Sequence, residues 1–296
     1  MNRSWIGWLI LGANAMKHDT EILLTGLAFP EAPRWRGDRL WFTDQHARRV
    51  MTVKTGGQAE CVLETDDLPG GLAWLPDGTP LVVAMTERAI YKIKAWAWTL
   101  YADLSALAPF HCNDMIAAAG GRVYIGNFGY DLHGGAPQAK THLIAVETDG
   151  SCRIAAEGLL FPNGCVITPD GATLIVAETF AARLTEFTIG NDGLLKDART
   201  WADLSEATPD GICLDDEGAV WVASPGTGEV IRVERGGKIS ARIKPLGVPY
   251  ACMLGGPERR TLFITTSETD DPDKANSLKS GRIEMAEVEV PGAGLP

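Results

Sequence analysis

The sequence predicts an all-β protein, a six-bladed β-propeller with four-stranded blades, because one pattern recurs six times along the chain. In each copy, a turn signal precedes three consecutive apolar residues of high strand propensity. The central residues of these six trios are Trp41, Val82, Tyr124, Ile175, Trp221 and Phe263. Successive trios are 41, 42, 51, 46 and 42 residues apart, close to the roughly 40–50 residues of one blade.

The segments around each trio account for the other strands of a blade. A segment of alternating apolar and polar residues follows every trio, and a short apolar run ending in a loop precedes it. The last repeat lacks a fourth strand, which residues 21–25 supply from the other end of the chain, so the ring closes without free edges. A β-sandwich also has many short strands, but it does not explain six units in register. We therefore expect one propeller domain over residues 19–296.

Composition limits the partners that this chain can bind. Its 296 residues are 45% hydrophobic and 22% charged, which suits one large all-β domain with an ordinary core. The net charge is −11 and the basic residues are scattered, so no basic face exists for a nucleic acid. The six cysteines form no CxxC pair, and we expect buried, reduced thiols. A small-molecule ligand and a monomer or small homo-oligomer are expected.

The N-terminal extension, residues 1–18, resembles a short signal peptide. Arg3 precedes the apolar run Trp5–Leu11, and the triplet at 13–15 has the small residues of a cleavage site. The apolar run is short for such a signal, so we expect a cytoplasmic protein, with periplasmic or secreted location as the alternative. No segment approaches the roughly 20 apolar residues of a membrane span.

One short motif, usually X-Pro-X, stands just before the innermost strand of each blade, 10 to 13 residues ahead of the trio centre. The residue after the Pro, or its equivalent, is the one that forms the predicted ring, and in the six blades it is Glu31, Gly70, Asn113, Asn163, Asp210 and Tyr250. Equivalent positions of a rotationally repeated fold lie on one circle, so two carboxylates and two amides should converge at the channel entrance. A hard divalent cation with oxygen ligands would relieve their repulsion. The alternative is that Pro-Asn-Gly and Pro-Asp-Gly are simply turns, but the shared register in four blades favours a metal site.

Four segments resemble one known family, the senescence marker protein/gluconolactonase/luciferin-regenerating enzyme family, whose members include regucalcin. They are FPEAPRW, HCNDM, FPNGCVITPDGATLIVAET and TPDGICLDDEGAVWVAS, and the resemblance runs from about residue 20 to about residue 290. It implies a six-bladed propeller that hydrolyses sugar lactones with one divalent ion (calcium, zinc, manganese or magnesium). By motif, Glu31, Asn163 and Asp210 match the metal ligands, and Asn113 matches a substrate-side or fourth-ligand Asn.

This chain departs from the family two residues before Asn113, where His111 replaces a common Arg that contacts the sugar lactone. We expect His111 to contact the substrate or to act as an auxiliary base. Asp210 is the expected catalytic residue, since a ligand carboxylate can also orient or deprotonate the attacking water. Asn113, Phe128 and Tyr250 complete the expected substrate contacts. Phe128 begins a long link, residues 128–141, which we expect to overhang the site as a wall or lid.

Other functions remain open or are disfavoured on sequence grounds. A phosphotriesterase-like hydrolase and a non-catalytic calcium-binding propeller would both use the same oxygen-lined site. No G-x-S-x-G elbow and no H-E-x-x-H motif occurs, which argues against serine hydrolases and zinc proteases. A protein-binding propeller of the WD type lacks its signatures here.

Overall fold

The computed structural model of the protein describes residues 19–95, 97–205 and 207–294, which form six four-stranded antiparallel sheets. The described chain opens with β1 (Glu21–Leu27), and three complete blades follow. These blades contain β2 (Pro30–Arg36), β3 (Arg39–Asp44), β4 (Arg49–Lys54) and β5 (Ala59–Glu64); β6 (Pro69–Trp74), β7 (Pro80–Ala84), β8 (Ala89–Lys94) and β9 (Ala97–Asp103); and β10 (Cys112–Ala117), β11 (Val123–Asn127), β12 (Thr141–Val146) and β13 (Cys152–Leu159).

Blades 4 and 5 repeat the same meander, and blade 6 combines both ends of the chain. They contain β14 (Pro162–Ile167), β15 (Thr173–Glu178), β16 (Arg183–Ile189) and β17 (Leu195–Asp203); β18 (Ile212–Leu214), β19 (Val220–Ser224), β20 (Glu229–Val233) and β21 (Ile239–Ile243); and β22 (Val248–Gly255), β23 (Thr261–Ser267) and β24 (Gly281–Glu287). Only a 3₁₀ turn, Thr179–Ala181, and the helix α1 (Pro272–Leu278) interrupt the described strands.

The predicted closure of the ring is confirmed. β1 pairs antiparallel with β24, for example Glu21 with Met285 and Leu27 with Gly281, so the N-terminal strand is the outermost strand of blade 6. This strand runs two residues beyond the predicted 21–25. Thr20 Oγ1 strengthens the junction by donating to the buried Glu284 carboxylate at 2.5 Å.

The six apolar trios lie in the second strand of each blade, as predicted, and they form the cores between blades. Leu40 and Phe42 of β3 are fully buried, as is Phe263 of β23, and all three belong to one cluster that joins blades 1, 5 and 6. Trp35 stacks on Phe263 across the blade boundary, with ring centroids 5.3 Å apart. Burial on both faces explains why these strands read as continuous apolar runs.

The innermost strands differ from the prediction in one respect. Five ring residues lie inside the first part of the strand rather than just before it, and each lies at or within a β-bulge. Asp210 alone precedes its strand, the short β18. The bulges occur between Glu31 and Arg34, for example, and between Pro162 and Cys165. Because a bulge breaks the alternation and re-aims side chains, it lets the ring residue face the channel while the following residues pack between blades.

The cysteine prediction holds for four residues. All six thiols are free, but Cys61, on the outermost strand of blade 1, is exposed, and Cys152 is half-buried. Outer strands face solvent, so an apolar residue there is not forced inward.

The predicted N-terminal extension, residues 1–18, lies outside the described residues, as do the last two of the expected propeller domain. Within the described ranges, every helix is too short and too polar to cross a bilayer.

Candidate active site at the channel mouth

All six predicted ring residues line one cavity of about 440 Å³, at the end of the channel where the innermost strands begin. Glu31, Asn163 and Asp210 are therefore gathered from blades 1, 4 and 5, as their shared register predicted. Gly70 contributes no side chain, and a Cβ atom there would lie 2.9 Å from Met85 Cγ and 3.0 Å from the Asn113 carbonyl oxygen, so the space beside it is already filled.

Buried carboxylates hold the loops that carry the ring residues. Asp44 Oδ1 accepts hydrogen bonds from the backbone N–H groups of Ala28 and Phe29, at 2.9 and 2.8 Å, just before Glu31. Glu178 Oε2 accepts from Leu160 N at 2.7 Å, just before Asn163. Such charge-assisted bonds to backbone donors are the stronger kind. The loop geometry at the ring is thus fixed from inside the blades.

Neighbouring blades approach closely at the ring because glycine follows two of its polar residues. Gly164 N donates to Asp210 O at 3.2 Å, and Gly211 N donates to Tyr250 O at 2.8 Å. A Cβ atom on Gly211 would lie 2.2 Å from the Cβ of Ala251, so only glycine permits this approach. The ring positions of blades 4, 5 and 6 are therefore coupled through the backbone.

The two ring carboxylates carry strongly shifted pKa values. Burial raises the pKa of Glu31 from 4.5 to about 7, and repulsion from Asp114 adds to the rise, while the Ala32 N–H group and Arg34 oppose it. Burial also raises the pKa of Asp210 well above its usual value, and the charges of Glu31 and Asp114 raise it further. Carboxylates that repel one another in a desolvated site are poised either to hold a proton or to share a cation.

A buried ion pair lies beneath the ring and spans the channel. Arg34 of β2 donates to Asp114 Oδ1 at 2.6 Å and to the carbonyl oxygen of Met115 at 3.0 Å, so it joins the non-adjacent blades 1 and 3. Its guanidinium is already committed to these partners, which leaves the ring carboxylates without a neutralising side chain of their own.

The ring residues suit a hard cation. Glu31 and Asp210 supply carboxylate oxygens, and the amide nitrogen of Asn163 donates to Thr179 Oγ1 at 3.2 Å, which leaves its oxygen available as a ligand. Thr179 Oγ1 in turn donates to Pro209 O at 2.8 Å. Only two of these three ligands are acidic, Glu31 and Asp210. In the ranges that the structure describes, no three His, Cys, Asp or Glu side chains are grouped so that they could hold a metal ion. Oxygen-only donors favour Ca²⁺, Mg²⁺ or Mn²⁺.

The expected substrate contacts separate into two groups. Asn113, Phe128 and Tyr250 line the cavity, whereas His111 does not. The His111 ring stacks on the Phe110 ring with centroids 4.1 Å apart, and its centroid lies 5.8 Å from that of Phe128. Burial lowers its pKa, so the imidazole is neutral at pH 7. The role of His111 at the substrate stays a prediction, and its position favours an effect exerted through Phe128.

The links between second and third strands supply most of the cavity residues that the sequence did not predict. The sequence predicted an overhanging link only at residues 128–141, of which Phe128, Leu132 and His133 line the cavity. The same links of the other blades contribute His46, Met85, Phe180, Pro225 and Asp270. The sequence holds one signal for such residues, a shared distance from the trio. His46 and Phe180 both lie four residues past the end of their trio.

His46 is a neutral side chain in this wall. Its Nε2 lies 3.0 Å from the carbonyl oxygen of Asp270 and therefore carries the proton, since a carbonyl only accepts. The ring stacks on Phe29 at 4.8 Å, and Phe29 contacts the Tyr250 ring edge-on at 4.6 Å. Burial lowers the pKa of His46, so it adds no positive charge to the site at pH 7.

Comparisons with known proteins find relatives in sequence and in fold. The family model described as "SMP-30/Gluconolactonase/LRE-like region" matches residues 29–268. A pentonolactonase of Haloferax volcanii is 26% identical over 264 residues, 86% of this chain and 87% of that protein. The crystal structure of a calcium-binding protein, regucalcin, from Agrobacterium tumefaciens superposes with a TM-score of 0.79 at 23% identity, over 94% of this chain and 97% of that one. A gluconolactonase from Xanthomonas campestris gives 0.73 at 24% identity, over 98% and 94%.

Proposed function

Because the chain belongs to the SMP-30/gluconolactonase/LRE-like family, we propose that it is a hydrolase that opens a lactone ring with the help of one divalent cation. The observation that carries this proposal is the convergence of Glu31, Asn163 and Asp210 at one mouth of the channel, on a cavity of about 440 Å³. The pentonolactonase relative, which aligns over most of both chains, supports the same class of reaction.

Glu31, Asn163 and Asp210 would hold the cation through oxygen atoms. When bound there, a divalent cation polarises an ester carbonyl and lowers the pKa of a water molecule. The regucalcin neighbour is described as a calcium-binding protein, and the oxygen-only donor set of this chain suits calcium, magnesium or manganese better than zinc, which prefers nitrogen and sulfur ligands.

Asp210 is the proposed general base. Its carboxylate takes a proton from the water that attacks the lactone carbonyl, and it returns that proton to the ring oxygen as the C–O bond breaks. A bound cation would keep Asp210 ionised, so that its carboxylate can accept this proton. Tyr250 lies beside it, and burial raises its pKa, so the hydroxyl stays protonated and can donate a hydrogen bond to the substrate. Asn113, which lines the cavity from blade 3, would position the ester.

The test combines chelation with a matched pair of variants. Ring opening releases acid at neutral pH, so a pH-stat follows turnover of a lactone panel. We expect chelator to abolish turnover and Ca²⁺, Mg²⁺, Mn²⁺ or Zn²⁺, added singly, to restore it. Asn163→Ala should remove most activity, whereas Asn191→Ala, an exposed turn residue far from the ring in sequence, should not. Full activity in chelated protein, or in Asn163→Ala, would contradict the proposal.

A further inference from the structure

One wall of the cavity is built from aromatic rings that contact one another in series. Phe128 and Phe161 pack with centroids 4.6 Å apart, and Phe161 and Phe180 follow at 4.8 Å. His111 continues the series behind Phe128, at 5.8 Å. Phe128, Phe161 and Phe180 all line the cavity, and we call these three the aromatic wall. It crosses the boundary between blades 3 and 4.

The aromatic wall is buried at two of its residues and partly exposed at the third. Phe128 and Phe161 are buried, and Tyr130 supports Phe161 from behind at 6.2 Å. Phe180 sits in the 3₁₀ turn at the mouth and is 37% exposed. A large apolar side chain left in contact with water beside a cavity gains free energy when a ligand covers it.

The charged groups of the cavity are all acidic. Glu31, Asp114, Asp210 and Asp270 line it, and no Lys or Arg occurs among the described residues of its lining. Arg34 lies beneath the ring, but its guanidinium is paired with Asp114 at 2.6 Å. A carboxylate, phosphate or sulfonate on a substrate would find no cationic side chain here, and the chain's net charge of −11 adds to the repulsion.

The aromatic wall itself offers no hydrogen-bond partner to the hydroxyl groups of a polyhydroxylated substrate. Each hydroxyl group buried against an aromatic face would lose its hydrogen bonds to water without replacement, which is costly. Polar side chains line the rest of the cavity, both at the ring, such as Asn113 and Asn163, and outside it: Gln45, His46, His133, Thr208 and Asp270. The cavity therefore has a polar part, which suits the ester group, and one apolar wall, which suits a hydrocarbon.

We propose that the substrate is an uncharged lactone bearing an apolar substituent, an aromatic ring or an alkyl chain, that packs on the aromatic wall of Phe128, Phe161 and Phe180. This proposal rests on the proposed function. Water adds to the lactone carbonyl, the ring C–O bond breaks, and the alcohol oxygen takes the proton, giving a hydroxy acid. At neutral pH the product ionises to a carboxylate, and no Lys or Arg of the described lining is present to pair with it.

The experiment compares three lactones on the intact protein with its cation. Dihydrocoumarin is uncharged and aromatic, D-glucono-δ-lactone is uncharged and polyhydroxylated, and D-glucaro-1,4-lactone is anionic. We expect kcat/KM to be at least tenfold higher for dihydrocoumarin than for the other two. Phe180→Ala should lower kcat/KM for dihydrocoumarin about tenfold, as expected for losing one aromatic contact, and should change that for gluconolactone less than twofold. Leu100→Ala is the matched control, because Leu100 is 59% exposed on β9 and does not line the cavity.

Binding of a hydrolysis-resistant analogue separates this proposal from the proposed function. The lactam 3,4-dihydro-2(1H)-quinolinone has the shape of dihydrocoumarin, and calorimetry should show about tenfold weaker binding to Phe180→Ala but unchanged binding to Leu100→Ala. If the lactam binds in this way and no lactone is hydrolysed, the ligand class stands and the hydrolase assignment fails. If gluconolactone is the better substrate and Phe180→Ala changes neither lactone nor lactam, the ligand class is wrong. Phe180→Leu, which keeps an apolar side chain, should retain most of the binding.

Discussion

The raised pKa of Glu31 predicts that the cation-free protein loses stability as the pH rises, and that Glu31→Gln removes this loss. In the folded chain the Glu31 pKa is about 7, against the ordinary 4.5. Between these two values the folded state binds more protons at this position than the unfolded state does. The free energy of unfolding therefore falls as pH rises through the window, and the contribution present below pH 4.5 is gone above pH 7.

The size of the effect follows from the shift. One pKa unit corresponds to about 1.4 kcal/mol, so the rise to about 7 is worth up to about 3 kcal/mol, reduced by solvent at the part of Glu31 that faces the cavity. Gln is isosteric and still accepts the hydrogen bond from Ala32 N, at 2.9 Å in the wild type. Glu31→Gln should therefore be more stable than the wild type by about 2–3 kcal/mol at pH 8 and nearly equal to it at about pH 4.

Urea unfolding in the presence of chelator at several pH values measures this difference, and titrating groups that do not interact with Glu31 cancel between the two proteins. Adding Ca²⁺ at pH 8 should stabilise the wild type and not the variant, since binding to the folded state alone raises stability. Glu258→Gln, at an exposed position, serves as the control. A gap between wild type and Glu31→Gln that stays constant from pH 5 to pH 8 would refute the electrostatic reasoning.

Other variants test the remaining parts of the site. Asp210→Ala should lower kcat by at least about 100-fold with an unchanged circular dichroism spectrum, and retained turnover would remove it from the mechanism. His111→Ala should raise KM or alter lactone preference with little loss of cation affinity; kinetics equal to wild type on every lactone would leave it a packing residue. Deleting residues 131–138 should change which lactones are hydrolysed while calorimetric cation affinity stays near wild type. Glu178→Ala should lower the free energy of unfolding by about 3 kcal/mol in urea, because Leu160 N and the Arg183 guanidinium lose their buried partner.

The fold was predictable because its signals are local and repeated. Each trio, such as Leu40-Trp41-Phe42, marks a strand that is buried between two blades, and the spacing of the trios counts the blades. The Pro residues that precede Glu31, Asn163 and Asp210 gave the register of the ring. Rotational repetition then placed these residues together without any knowledge of the angles between blades.

The side chains around the ring were harder to predict, because their directions depend on where the strand pleat starts. His111 stands one residue before β10, and the bulge that follows Cys112 decides which residues face the channel. Sequence spacing cannot locate such a bulge. It predicted His111 and Phe128 alike as substrate contacts, and of these two only Phe128 lines the cavity. The ion pair of Arg34 and Asp114 joins two non-adjacent blades, and no local pattern in the sequence indicates a contact across the channel.

The pairing of β1 with β24 has a consequence for the order of folding. It joins Glu21 to Met285, close to the two ends of the chain, so it is among the longest-range contacts in the molecule. During synthesis β1 stays unpaired until its partner β24, in the last blade, has left the ribosome. Closing so long a loop is entropically costly and slow. Enzyme activity should therefore appear only after the whole chain has been made, and a nascent chain that lacks β24 would expose both β1 and an open blade to other chains.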